Sequence, residues 1–187
     1  MERFSAACIE RFGRVDYLIN NAMASRGGLS ACGWDDFLYA QKVGVAAPYY
    51  LTRLLLPHFG KGAAIVNLSS TRAFQSQRDT ESYSAAKGGI TALTHALAVS
   101  LAGIARVNAI APGWIDTAGQ PHPGPDSAQH PVQRVGRPDD IADAVLYLCG
   151  EHSGFITGQT LAVDGGMSKL MVYHGDEGWS LNDEGKL

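Results

Sequence analysis

The sequence predicts a doubly wound α/β domain built on a parallel sheet of about four strands with flanking helices. Three observations predict it. Helix-like and strand-like segments alternate along the 187 residues, with no fixed repeat and no low-complexity tract. The strand-like segments are short, nearly continuous apolar runs, as expected of strands buried on both faces. Polar or turn-forming residues stand where these runs end, at Asn20–Asn21, Ser69–Ser70 and Pro112–Gly113. In open parallel sheets the carboxyl ends of strands are where ligands collect.

Each element follows from its own residues. Residues 1–12 place Met1, Phe4, Cys8 and Phe12 at helical spacing, and Gly13 stops the helix. VDYLINNA (15–22) is a buried strand ending in Asn-Asn, and the glycine-rich stretch 25–33 is a loop. Residues 34–59 read as one long helix in which Pro48 forces a kink or a break, because proline lacks the amide and clashes with the preceding turn. GAAIVNLSS (62–70) is the second strand, apolar until it ends in hydroxyls. Residues 80–102 form a second long helix. Its small residues Ala85, Ala86, Gly88, Gly89 and Ala92 permit close packing on one side, and Ile90, Leu93, Leu97 and Leu101 form an apolar stripe. ARVNAIAPG (105–113) is the third strand. The proline-rich segment 114–138 is a loop or lid, expected to cover what binds at the strand ends and carrying Trp114, His122 and His130; His130 is a second polar contact or, in the preferred reading, a solvated loop residue. DDIADAVLYLC (139–149) is a helix whose first-turn aspartates suit the macrodipole. QTLAVDGG (159–166) is the last strand. The tail 167–187 has no clear period; Tyr173 and Trp179 are expected to dock it, and the terminal EGKL to fray.

Composition narrows the function classes. Fifteen Lys plus Arg against eighteen Asp plus Glu give a formal charge of −3, so nucleic-acid binding has no basic surplus to rest on. No apolar run approaches the roughly 18 residues of a membrane span, and MERFSAACIERFGR lacks the layout of a signal peptide. Cys8, Cys32 and Cys149 are odd in number and scattered, and the histidines show no HxxxH spacing. Neither a disulfide framework nor a metal site is expected, and the chain suits a reducing cytoplasm.

The chemistry concentrates at Tyr83 and Lys87, four residues apart and hence one turn apart on one helix face. A nearby lysine cation favours the phenolate and brings a tyrosine within range of acid/base work. Ser70, at the end of the preceding strand, can supply a hydroxyl to the same site. Together they would bind a carbonyl oxygen and pass it a proton.

Around this pair lie LINNA (18–22), VNLSS (66–70), YSAAKGG (83–89), RVNAIAPGWIDT (106–117), GRPDDIADAVLYL (136–148) and ITGQTLAVDGG (156–166). In order and spacing these resemble the short-chain dehydrogenase/reductase family over nearly all of residues 1–166. The resemblance implies a Rossmann-like domain over 1–166, followed by the tail 167–187. It implies an oxidoreductase using NAD or NADP on a small carbonyl compound or secondary alcohol. Ser70, Tyr83 and Lys87 would be catalytic: Ser70 orients the carbonyl, Tyr83 is the acid/base, and Lys87 lowers the tyrosine and binds the nicotinamide ribose. Asn20 would bond across the sheet, with Ala22 near the adenosine side. Pro112, Gly113, Ile115 and Thr117 would shape the nicotinamide pocket. Relatives build homo-oligomers through the helices corresponding to 34–59 and 80–102.

The sequence departs from the family pattern in three places. The glycine-rich turn that cradles the pyrophosphate is not found; Gly154-x-x-x-Gly158 lacks the third glycine and precedes a strand. The first βα units and the third strand would then lie outside this sequence, strand 15–20 becomes an edge, and dinucleotide affinity is expected to fall. Met23 stands where the family's Asn-Asn-Ala-Gly has glycine. Aligning VGVAAPYYLT (43–52) puts Gly44 where the family has a water-holding asparagine, with Gln41 one turn earlier as a partial substitute. Two alternatives to an active enzyme therefore stay open: an impaired fragment of a longer frame, or a non-catalytic oligomerisation partner.

Overall fold

The computed structural model describes residues 1–176. Helix α1 (Glu2–Phe12) leads into strand β1 (Val15–Asn20), then α2 (Trp34–Gln41), a π-helical turn (Lys42–Ala46) and α3 (Ala47–Leu55). Strand β2 (Phe59–Leu68), helix α4 (Glu81–Ser100) and strand β3 (Ala105–Pro112) follow. The short helix α5 (Pro125–Ala128), helix α6 (Pro138–Cys149) and strand β4 (Thr160–Val163) complete the described elements. All strand pairs are parallel, in the order β1-β2-β3-β4, with Asn20 opposite Asn67, Asn67 opposite Ala109, and Pro112 opposite Val163.

Strand alternation makes the sheet two-sided. Ile65 and Val66 are neighbours on β2, both fully buried, and point to opposite faces. Ile65 joins Leu55, Leu97, Leu101 and Val107 in a core beneath α3 and α4, with Ile9 of α1 packed against it. Val66 joins Leu68, Ile110 and Leu148 in a second core beneath α6. This is the doubly wound α/β architecture, and the expected stripe on 80–102 is the face that α4 buries.

The long helix expected over 34–59 is three pieces. Across the π turn the Ala47 N–H reaches back five residues to the Lys42 carbonyl, so the helix widens just before Pro48. Pro48 then falls in the first turn of α3, where a missing N–H costs little. Strand β2 starts at Phe59, earlier than expected, with a register irregularity opposite Val15 and Tyr17. Helix α1 forms, yet its expected apolar positions stay outside: Phe4 is 60% and Phe12 69% exposed. Ser5 and Ile9, one position later on the wheel, face the core instead. Tyr173 is exposed on this chain, while Trp179 and EGKL lie outside the described residues. Among the described residues no helix is long and apolar enough to cross a membrane.

Candidate functional site

The site forms where β2 ends and α4 begins. Ser70 caps a short 3-10 turn (Thr71–Ala73), its Oγ accepting the Arg72 N–H at 3.2 Å. Tyr83 lies in the first turn of α4 and Lys87 one turn further, so helical spacing puts both on one side, and the Lys87 bond to Leu68 turns that side to the strand end. Lys87 is 5% exposed, and its Nζ donates to the Leu68 carbonyl at 2.6 Å. That carbonyl is available because the β2 ladder ends at Leu68. The ammonium also lies 5.4 Å from the centroid of the Tyr83 ring. Burial disfavours the charge and pushes the lysine down to about 8.

Ser70 and Tyr83 open onto a cleft of about 760 Å³, whose far wall is Gly113, Trp114 and Ile115. The wall is fixed by close approach: a Cβ at Gly113 would sit 2.7 Å from the Cβ of Asp164, and Ile115 bridges to Gly136. Pro112, at the end of β3, carries this wall. Thr117 is not brought to the cleft; it lines a neighbouring one with Asp116, His122 and Arg134. Ala22 is exposed in the segment after β1.

Asn20 donates across the sheet to Asn67 Oδ1 at 2.8 Å, Asn67 to Thr94 Oγ1 at 2.9 Å, and Thr94 to the Ile90 carbonyl at 2.8 Å. This chain of bonds ties β1 and β2 to α4 beneath Lys87. Asn67, fully buried in a run read as apolar, is the member that sequence reasoning missed. A lone amide inside a buried strand must find partners, and that was the available signal. Arg72 was missed too, although it follows Ser70 by two residues.

The two flagged departures meet in space. A Cβ at Gly44 would lie 2.8 Å from the Ala86 Cβ and 3.0 Å from the Met23 Sδ. Gly44 is thus the contact point between the π turn and α4, with Met23 packed over it, and has no room for a water-holding side chain. Gln41 does not reach Lys87; its Nε2 donates to the Ser82 carbonyl at 2.9 Å, beside Tyr83.

In the segment 114–138, His130 is buried rather than solvated, with Nδ1 3.0 Å from the Asp126 carbonyl and its ring 6.2 Å from that of Trp114. The His122 ring lies closer to Trp114, at 4.8 Å and tilted by 60°, between Asp116 and Asp126. The segment 114–138 is tied back to α6 through Asp140. Arg134 holds both of its carboxylate oxygens at 2.7 Å, and the Arg137 N–H adds a third bond. These hold Asp140 down at about 2.

A family model described as enoyl-(acyl carrier protein) reductase matches residues 1–168. An uncharacterised oxidoreductase of Thermotoga maritima is 43% identical over 179 residues, covering 88% of this chain and 70% of the relative. An apo SCOR enzyme from Clostridium thermocellum superposes with a TM-score of 0.90 at 47% identity, over 97% of this chain and 74% of that one. A blue fluorescent protein from a metagenomic library, solved in complex with NADPH, superposes with a TM-score of 0.81 at 29% identity, over 89% of this chain and 71% of that one.

Proposed function

This chain belongs to the short-chain dehydrogenase/reductase family of oxidoreductases, and on that premise we propose that it interconverts a small carbonyl compound and its secondary alcohol with NAD or NADP, Tyr83 acting as general acid/base. Lys87 carries this reading. The buried Lys87 ammonium stands 5.4 Å from the centroid of the Tyr83 ring, a cation set beside the group proposed to exchange the proton. With its own value near 8, Lys87 remains mostly charged at neutral pH, and the Leu68 carbonyl keeps it in place.

Ser70 Oγ accepts the Arg72 N–H and so keeps its O–H to donate toward a substrate oxygen. Tyr83 gives its proton to that same oxygen in reduction and takes it back in oxidation. Bound nicotinamide dinucleotide supplies or accepts the hydride. The donor set fits the nicotinamide end of such a cofactor. Among the described residues Lys87 uses one of its three donors, on Leu68, which leaves two for ribose hydroxyls. Gly113 and Ile115 would wall the ring, as Pro112 would from beneath. For the phosphates, the stretch 25–33 between β1 and α2 carries Gly27, Gly28 and Gly33 but not the spacing of the family's pyrophosphate turn, so no residue is assigned to them.

Titration with NADH and NADPH by calorimetry, followed by turnover of Tyr83→Phe, tests the reading. Loss of the phenol hydroxyl should cost about 10²–10⁴ in rate. Full activity in that variant would sink the mechanism.

One observation favours a second reading, association with another chain. β1 is an edge strand among the described residues, with Tyr17 and Ile19 exposed on it, and such edges pair readily. Homo-oligomerisation through helices 34–59 and 80–102 is part of the main proposal, supported by outward-facing Trp34, Tyr49 and Val99. So is a cytoplasmic site of action, in keeping with three free thiols.

A further inference from the structure

Building on the reading of Tyr83 as acid/base, we propose that Arg72 selects substrates carrying a carboxylate close to the reacting carbonyl or hydroxyl group, that is, oxo acids and hydroxy acids. Arg72 follows Ser70 in the same 3-10 turn, so one short segment delivers both the hydroxyl and the guanidinium to the cleft. It is the only charged side chain among the residues lining the cleft. The guanidinium stands 5.7 Å from the centroid of the Tyr83 ring.

No carboxylate among the described residues pairs with it; its side-chain acceptor there is Gln77 Oε1. An arginine half-removed from water without a counter-charge keeps most of its five-donor fork for a ligand. The planar fork matches a carboxylate in two parallel hydrogen bonds, a geometry that neither lysine nor a neutral amide reproduces. The neutral linings Gln75, Gln77 and Gln129 supply polarity without charge, so they would serve a sugar or polyol as well as an acid. Arg72 adds the discrimination. Its place two residues from Ser70 puts the carboxylate within a few bonds of the oxygen that Ser70 and Tyr83 hold.

Binding measured without cofactor separates this inference from the hydride-transfer reading. The full chain is titrated by calorimetry with 2-oxobutyrate and acetoacetate, and with the methyl ester of each. Each acid keeps the same reacting carbonyl as its ester, which lacks the negative charge and carries one added methyl group. At least one acid should bind about tenfold or more tighter than its ester, as a charge-assisted pair requires. Arg72→Gln should erase that difference, Arg72→Lys should keep part of it, and both variants should bind the esters as the parent does. Circular dichroism of the two variants should overlay that of the parent. Equal binding of acids and esters, no acid binding at all, or an acid preference that survives Arg72→Gln would each overturn the proposal. Turnover dependent on Tyr83 alongside equal binding would remove the role of Arg72 alone. Failure of turnover with the acid preference intact would strike the hydride-transfer reading instead.

Discussion

Lys87 illustrates how a single residue links stability to chemistry. Its ammonium is held in the fold at a cost, because burial lowers its affinity for the proton from 10.5 to about 8. Below pH 8 the residue is charged whether the chain is folded or unfolded, and the fold bears that whole cost. Between about 8 and 10.5 the folded chain releases the proton while the unfolded chain keeps it, so the unfolded state binds more protons and stability rises with pH. Above 10.5 both forms are neutral and the cost is gone. The gain across the window is roughly 3 kcal/mol at most. Urea unfolding at pH 7.5 and pH 9.5 should show the parent gaining stability relative to Lys87→Met, since the variant has no proton to lose at this site. Parallel changes in the two proteins would refute the assignment. Tyr83 and Lys87 themselves were legible, because four-residue spacing on a helix fixes which side chains are neighbours. Arg72 was not, because its value depends on Tyr83 and Gln129 arriving from distant segments.

At the scale of elements, the crossing of the π turn and α4 is set by small side chains. Gly44 meets Ala86, and a Cβ at Gly89 would lie 2.8 Å from Val45. Ala86 is attached to a packed helix and cannot swing aside, whereas the Met23 thioether can. Gly44→Ala should therefore destabilise the chain by about 1–3 kcal/mol through overpacking, visible as a lower urea midpoint. Met23→Ala should not rescue it, because the clash with Ala86 remains. Unchanged stability in Gly44→Ala would mean the two elements are less closely seated. The sequence marked the small residues of α4 and the presence of Pro48, but not the device that reconciles proline with a continuous helix. A π turn depends on a hydrogen-bond register, and residue types alone do not display one. Likewise the helix of residues 1–12 was evident from spacing, while the face it buries, with Ser5 and Ile9, was not, since periodicity gives a stripe without saying which side meets the core.

Across the whole molecule, a two-faced sheet leaves apolar and aromatic surface outward on α2 and α3. Trp34 and Tyr49 are both largely exposed, as a face awaiting a second copy would be. Sedimentation equilibrium should give a mass above that of one chain, and the pair Trp34→Glu and Tyr49→Glu should return the monomer. A monomeric parent would overturn oligomerisation through these helices. By itself the sequence determined the order of helices and strands, the parallel sheet, and the Ser70–Tyr83–Lys87 grouping. Each of these is written in short-range patterns, namely apolar runs, helical spacing and polar residues at strand ends. Only the tertiary structure decided that Met23 and Gly44 are one contact, that Thr117 faces a different cleft, that His130 is buried, and that Asn67 bonds Asn20 to α4. Those facts depend on segments distant in the chain coming to within a few ångströms of each other, and local residue pattern does not encode such distances.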